Sequence, residues 1–223
     1  MEIIAHLAVS LDGRTEAAGP PAMFGGAADR ARMVARRASA GAVLVGGRTF
    51  STWPIPPELR RDWAPEAPLR PTPPTLVVTR QDRLEVRPVR RGFAGSDASV
   101  TFFAPDGFVV PDGLRSIAQV QRSAVDPLDA ALGAAEAAGC ARLLVEGGWG
   151  LIRALAARGA LDALHLTLCP LCLGGSASPG GPSSGPHPEM DTLRLRLVTA
   201  EAEGGAVFLH FVPERSAASA TLA

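Results

Sequence analysis

Apolar residues come in short bursts along this chain, each cut off by glycine, proline or a polar residue. Residues 3–9, 42–45, 75–79 and 100–104 are such bursts, rich in Val, Ile, Leu and Phe and too short for helices. Runs of this kind predict strands buried on both faces of a sheet. Residues 28–38 follow a different rhythm and predict a helix, with Asp29 in its first turn and Arg36 and Arg37 in its last. That placement suits the helix dipole, and ordinary helix electrostatics explains most of it. Residues 127–138 predict a second helix, opened by Pro127 where a missing N–H is tolerated.

The run 141–160 carries the most information. Leu143, Leu144 and Val145 predict a buried strand, and Glu146, Gly147, Gly148 and Gly150 follow it directly. Leu151, Ile152, Leu155 and Ala156 then repeat at helical spacing, with Gly159 at the expected C-cap. A strand, a glycine turn and a helix N-terminus can together form an anion site. The glycines let a phosphate reach the backbone, and the first helical turn offers free N–H groups. The same spacing also describes a tight strand-to-helix turn with no ligand. Glu146 favours a site, because a carboxylate at the C-terminal end of a buried strand lies where open α/β sheets bind ligands.

Two other strand ends have similar character. Residues 10–14, Ser-Leu-Asp-Gly-Arg, close the first strand, and Asp12 either shapes a plain turn or faces the same cleft. Residues 46–49, Gly-Gly-Arg-Thr, follow the second strand and add a guanidinium and a hydroxyl suited to phosphate. Residues 161–168 alternate as Leu-Asp-Ala-Leu-His-Leu-Thr-Leu, a strand with one drier face, in which His165 reads as structural or surface-facing. Residues 193–200 and 206–212 predict an antiparallel closing pair. Loops are expected at residues 15–26 and 174–188, and the eight prolines of residues 53–74 exclude long regular elements there. The expected architecture is one domain over residues 1–213 with a flexible tail over 214–223. Its fold class is α/β: a mostly parallel sheet with helices on both faces and an antiparallel C-terminal hairpin.

Composition narrows the chemistry. The chain has 223 residues with 22 basic against 22 acidic side chains, so no general pull toward nucleic acid or membrane is expected. Lysine is absent, so a cationic phosphate contact must come from arginine, whose fork suits that ligand. Cys140, Cys169 and Cys172 read as reduced thiols, and the Cys169-Pro-Leu-Cys172 spacing has no second pair, so no metal is expected. Without a run of about 18 apolar residues or a basic-then-apolar leader, the expectation is a soluble cytoplasmic protein. Neither a G-x-G-x-x-G nor a G-x-x-x-x-G-K-[ST] loop occurs, which weakens ordinary Rossmann and P-loop readings.

These motifs together resemble the reductase domain of bacterial riboflavin biosynthesis, which has the dihydrofolate reductase-like fold. The matching stretches are residues 8–14 (Ala-Val-Ser-Leu-Asp-Gly-Arg), 42–49 (Ala-Val-Leu-Val-Gly-Gly-Arg-Thr), 143–148 (Leu-Leu-Val-Glu-Gly-Gly) and 161–175 (from Leu-Asp-Ala-Leu-His to Leu-Gly-Gly). Residues 47–50, Gly-Arg-Thr-Phe, also resemble the cofactor-binding Gly-Arg-x-Thr region of dihydrofolate reductases. The resemblance implies hydride transfer from NADPH to a pyrimidine- or pteridine-like heterocycle, a ribosylamino-pyrimidine among them. It implies that Gly147, Gly148, Trp149, Gly150 and Leu151 hold the cofactor pyrophosphate and that the Val9 backbone meets the nicotinamide. Gly47, Arg48 and Thr49 would also contact the cofactor, with Thr79 and Arg80 at its adenosine end, where an arginine suits a 2′-phosphate. Asp12 and Glu146 are the implied catalytic carboxylates, and Arg37 joins Glu146 on the substrate side. A homodimer meeting through its C-terminal strands is implied as well, in keeping with edge strands being normally covered.

Three departures stand out. The family's Ala-Asp-Asp-Pro-x-Leu-Thr-x-Arg substrate segment is replaced by Phe-Ser-Thr-Trp-Pro-Ile-Pro-Pro from residue 50, its early lysine by His6, and the zinc deaminase half is absent. An NADPH-dependent reductase is the leading reading. The alternatives are a nucleotide-binding protein of the same fold without turnover, and a flavin- or deazaflavin-dependent reductase.

Overall fold

The computed structural model describes residues 1–15, 25–52, 71–85, 99–112, 114–174 and 193–214. Within them the chain runs β1 (Glu2–Ser10), α1 (Gly26–Ser39), β2 (Ala42–Gly46), α2 (Gly47–Thr52), β3 (Thr75–Val78), β4 (Val100–Ala104), β5 (Ala118–Arg122), α3 (Pro127–Ala137), β6 (Arg142–Glu146), α4 (Trp149–Ala156), β7 (Ala163–Cys169), β8 (Leu195–Glu203) and β9 (Ala206–Pro213). The loops expected at residues 15–26, 53–74 and 174–188, and the tail, lie mostly outside the described residues.

All strands join one sheet in the order β5-β4-β3-β2-β6-β1-β7-β9-β8. Every pairing from β5 across to β7 is parallel, and only β7–β9 and β8–β9 are antiparallel. The order reverses at the centre: the chain leaves β1 for β2, continues outward to β5, and returns to insert β6 between β2 and β1. An α/β sheet opens its ligand crevice at such a switch point.

The expected strands form with ends shifted by a few residues, and two elements had no forecast. β5, Ala-Gln-Val-Gln-Arg, is a half-exposed edge strand without an apolar burst to announce it. α2 turns the expected glycine turn into a short helix, anchored by the buried Phe50. The five-residue connection expected in the hairpin shrinks to Gly204 and Gly205, whose φ of +59° and +82° suit a two-residue turn between twisted strands. Gly159 takes φ +61° just beyond α4, where its N–H donates to Ala156 O and that of Ala160 to Leu155 O, a Schellman closure.

The sheet buries a different layer on each face. On one face Ile3, Ala5, Leu7 and Val9 of β1 join Leu143 and Val145 of β6 beneath Leu128 and Ala131 of α3 and Ile152 and Leu155 of α4. The opposite face packs Val43, Val45 and Leu144 with Phe50, Phe102 and Phe108. Toward β1 and β7 this second face becomes polar. Glu146, His6, His165 and His210 stand in register across β6, β1, β7 and β9. α1 lies against this part of the sheet, with Asp29 bonded to His6 and Arg37 to Glu146.

The aromatic layer tests this description. Phe102 is fully buried, edge-on to Phe50 at 5.3 Å and beside Phe108 at 5.1 Å. Phe102→Ala leaves a cavity with little freedom to collapse, and a loss of about 3–5 kcal/mol is expected in urea unfolding. Val125→Ala, at an exposed site, should stay within about 0.5 kcal/mol of wild type.

Candidate functional site

Parallel pairing brings the C-terminal ends of β1, β2 and β6 to one edge of the sheet, side by side. β6 stops at Glu146, level with His6 of β1 and Val45 of β2. β1 continues to Ser10 and keeps β7 as its partner throughout. Past His6, the β6-facing side of β1 therefore has no strand beside it, and a notch with a backbone wall results. Val9 lies in that wall, its side chain buried in the α3/α4 layer.

Two glycine turns bound the notch. A Cβ on Gly147 would come within 3.7 Å of Thr49 Oγ1 and 3.8 Å of Gly46 N, so the ends of β2 and β6 are in contact. Gly148 is the N-cap of α4, extended at φ −75° and ψ 176°, and a Cβ there would have only Thr15 Oγ1 nearby, at 3.9 Å. Gly150 faces open space. Trp149 and Leu151 lean on the apolar layer below. The first-turn N–H groups of α4 lack intrahelical acceptors by geometry, so this turn has both room and donors for an anion. Gly47 is different: a Cβ would meet the Thr79 and Leu84 side chains at 3.0–3.1 Å, so tight packing already favours glycine there.

At the β3 end, Thr79 is buried and its hydroxyl accepts the Gln81 N–H, while Arg48 stands exposed on α2. Arg80 is exposed and already paired: its Nε and Nη2 donate to Asp126 Oδ2 at 3.1 and 2.6 Å. Asp126 also caps α3 through Leu128 N–H and meets Arg158. Burial opposes its charge, but Arg80, that amide and Arg158 together hold its carboxyl below the usual carboxylate range.

The two expected catalytic carboxylates sit in very different surroundings. Asp12 accepts from Ser10 Oγ at 2.5 Å, Gly174 N at 2.9 Å, Leu173 N at 3.1 Å and Arg14 Nε at 3.2 Å. The Ser10 hydroxyl and these amides keep it well below the usual carboxylate range. It staples the turn after β1 to the segment after β7. Glu146 instead forms a two-pronged pair with Arg37, Nε to Oε1 and Nη2 to Oε2, both at 2.6 Å. The side chains are 7% and 16% exposed, so this fork is nearly withdrawn from water.

Beside that fork lies a buried chain that sequence reasoning missed. His6 Nε2 is 3.1 Å from Asp29 Oδ1, and Thr167 Oγ1 donates to the same oxygen at 2.5 Å. Burial opposes the charge on Asp29, but His6, Thr167 and Arg36 outweigh it and hold the carboxyl below its ordinary value. An ionised Asp29 requires Nε2 to be a donor, and His6 Nδ1 is buried with no hydrogen-bond partner. The signal was a polar residue interrupting each of two apolar runs. Asp29, whose place in the first turn of α1 the helix dipole mostly explains, gives no such signal. Farther along the row, His165 stacks on His210 at 4.5 Å, and burial with the nearby charge of Arg36 pushes its pKa down to about 3.

Among the described residues no cluster of three or more His, Cys, Asp or Glu could hold a metal, the three cysteines are free thiols, and no helix is long and apolar enough to cross a membrane.

Known structures share this fold. Acinetobacter baumannii RibD aligns with 96% of this chain and 58% of its own length, at 20% identity and a TM-score of 0.70. A Thermotoga maritima deaminase/5-amino-6-(5-phosphoribosylamino)uracil reductase gives 95% and 56%, at 18% identity and 0.71. The chain thus spans a little over half the length of these two proteins. A pyrimidine reductase-like protein from Corynebacterium diphtheriae is covered over 92% of its length, with 96% of this chain, at 18% identity and 0.69. A search of the curated proteins found no match. The family model described as the RibD C-terminal domain matches residues 1–209, and the chain belongs to that family.

Proposed function

We propose that this protein is an NADPH-dependent reductase that transfers a hydride to a pyrimidine- or pteridine-like heterocycle, with a ribosylamino-pyrimidine of riboflavin biosynthesis among the candidates. The observation that carries this reading is the notch itself, a backbone wall at the sheet's switch point facing an open glycine turn. Yeast Rib7, a riboflavin biosynthesis reductase of similar fold, supports it; 96% of this chain aligns with 90% of that one at 16% identity and a TM-score of 0.63.

The residues fit such a cofactor. The open space at Gly148 and Gly150 suits a pyrophosphate on Gly147, Gly148, Trp149, Gly150 and Leu151, with Gly47, Arg48 and Thr49 opposite. Thr79 and Arg80 would take the adenosine end, and the Val9 backbone would line the nicotinamide side. When bound, NADPH supplies the hydride. This chain's own residues then orient the acceptor and manage one proton. Arg37 fixes Glu146 so that its carboxylate can hold ring N–H groups of the substrate. Asp12 is committed to its four donors and shapes the rim. A nitrogen that gains electron density needs a proton, and His6, its ring anchored by Asp29, stands beside Glu146 in the same row.

A second reading, binding without turnover, is favoured by α2, which carries Phe50, Ser51 and Thr52 where the family's paired aspartates would follow. Measuring NADPH affinity and NADPH oxidation separately divides the two, because a binding protein retains the first alone.

A homodimer is also part of this proposal. β8 is an exposed edge strand that presents Leu197 and Val198 to solvent, and such edges are normally covered. Sedimentation at micromolar concentration should give a dimer; a monomer alone would refute it.

Gly148→Val should fold with near-normal stability without ligand, since only Thr15 lies near its Cβ, yet should not bind NADPH measurably. Glu146→Gln should keep cofactor affinity and lose turnover or substrate binding. A Gly148→Val protein with wild-type NADPH affinity would remove the cofactor from this turn.

Arg80→Ala should weaken NADPH by roughly tenfold and leave NADH nearly unchanged. A charge-assisted bond is worth about 1.5–3 kcal/mol, and the lower figure applies because a 2′-phosphate must compete with Asp126 for an exposed guanidinium. Equal loss for both cofactors would assign Arg80 to the Asp126 pairing alone.

A further inference from the structure

We propose that the cleft beneath the C-terminal half of α1 is a second binding site, specific for a tetrahedral oxyanion such as inorganic phosphate or a phosphate monoester. The cleft encloses about 280 Å³ between α1, β7 and β9, and it opens toward the N-terminal ends of β1 and β6, where Glu2 and Arg142 form its rim. The notch begins beyond His6 and opens at the C-terminal end of β1, whereas the cleft opens at its N-terminal end, so the two mouths lie at opposite ends of the strand. This proposal does not rest on the reductase reading.

The argument is a count of partners. Around the cleft, Glu2 is bonded to Arg142, and Glu201 and Glu203 are both bonded to Arg32. Asp29, the nearest buried carboxylate, is held by His6 and Thr167. Arg36 alone contributes a half-buried guanidinium with no hydrogen bond or ion pair among the described residues. His165 and His210 stack next to it in the wall, and each imidazole offers at least one N–H donor in any protonation state. Donors are therefore in excess, and no uncommitted carboxylate is there to receive them.

A half-buried guanidinium whose nearby anion, Asp29, is already held by other partners is costly. Burial, reinforced by Arg32 and only partly offset by Asp29, pushes Arg36 down to about 10, and burial with Arg36 and His210 pushes His165 to about 3. An oxyanion accepting from the guanidinium fork and from imidazole N–H groups would relieve both. The cleft is roomy for one phosphoryl group, and the arginine fork matches its geometry.

The test is thermal melting and calorimetric titration with inorganic phosphate and, separately, ribose 5-phosphate. The proteins are wild type, Arg36→Gln, Arg36→Lys, Gly148→Val and Arg115→Gln, the last disrupting only an exposed pair with Asp112. Phosphate at many times its Kd should raise the wild-type melting temperature by a few degrees, and chloride at equal ionic strength should not. Arg36→Gln should remain folded without phosphate, because the guanidinium has no hydrogen bond to lose among the described residues, and should bind phosphate at least about tenfold more weakly. Arg36→Lys should fall between the two, while Gly148→Val and Arg115→Gln should respond as wild type does. Tighter binding of ribose 5-phosphate would identify the source as a phosphate monoester, and equal or weaker binding would identify free phosphate.

Three results would overturn the site. They are wild-type phosphate affinity in Arg36→Gln, loss of the response in Gly148→Val, and Arg36→Gln breaking a dimer while the phosphate response stays unchanged. The last would mean that a second copy of the chain supplies the partner for Arg36.

Discussion

A helix laid across the middle of a sheet usually presents it with an apolar stripe. α1 presents Val34 and Ala38, but also Asp29 and Arg37, both buried. These charges are tolerable only as a set. Arg37 needs Glu146, and Asp29 needs His6 and Thr167, because each buried charge stripped of its partner would cost several kcal/mol, roughly 3–5. The pairings reach three central strands, β6, β1 and β7, so they fix where α1 sits over the sheet. The basic cleft takes its roof from that placement, and the row of histidines is covered by it.

Much of this architecture could be read from the chain. Short apolar bursts become strands because a parallel sheet is buried on both faces, and the glycines after Val45 and Val145 mark where two central strands stop. What resisted reading has a common cause. The bond between Thr167 and Asp29 spans 138 positions, and Arg37 meets Glu146 across 109. Local pattern carries no information at such range. Asp29 at a helix start and His165 among leucines each had a sufficient local explanation, and those explanations concealed the polar layer. β5 escaped for a simpler reason: an edge strand half in water needs no apolar burst.

Similar glycine turns also turned out to have different causes. Gly47 is confined by Thr79 and Leu84, and no ligand is required to explain it. Gly148 has almost nothing near its missing side chain. The sequence Gly-Gly looks the same in both places, and only the packed neighbours separate a glycine that closes a gap from one that keeps a gap open.

The stagger between β1 and β6 has an evolutionary consequence. A wall made of main chain is insulated from side-chain drift, since Ala8 or Val9 can change identity without altering the amide and carbonyl groups that line it. Solved structures at 18–20% identity keep the same fold although most of their residues differ. The vulnerability lies in length. Loss of one residue from β1 would shift its register, turn His6 toward the apolar layer and send Leu7 to face Asp29. Such a site should tolerate many substitutions and almost no insertions or deletions, so strand length, more than residue identity, is its inherited trait.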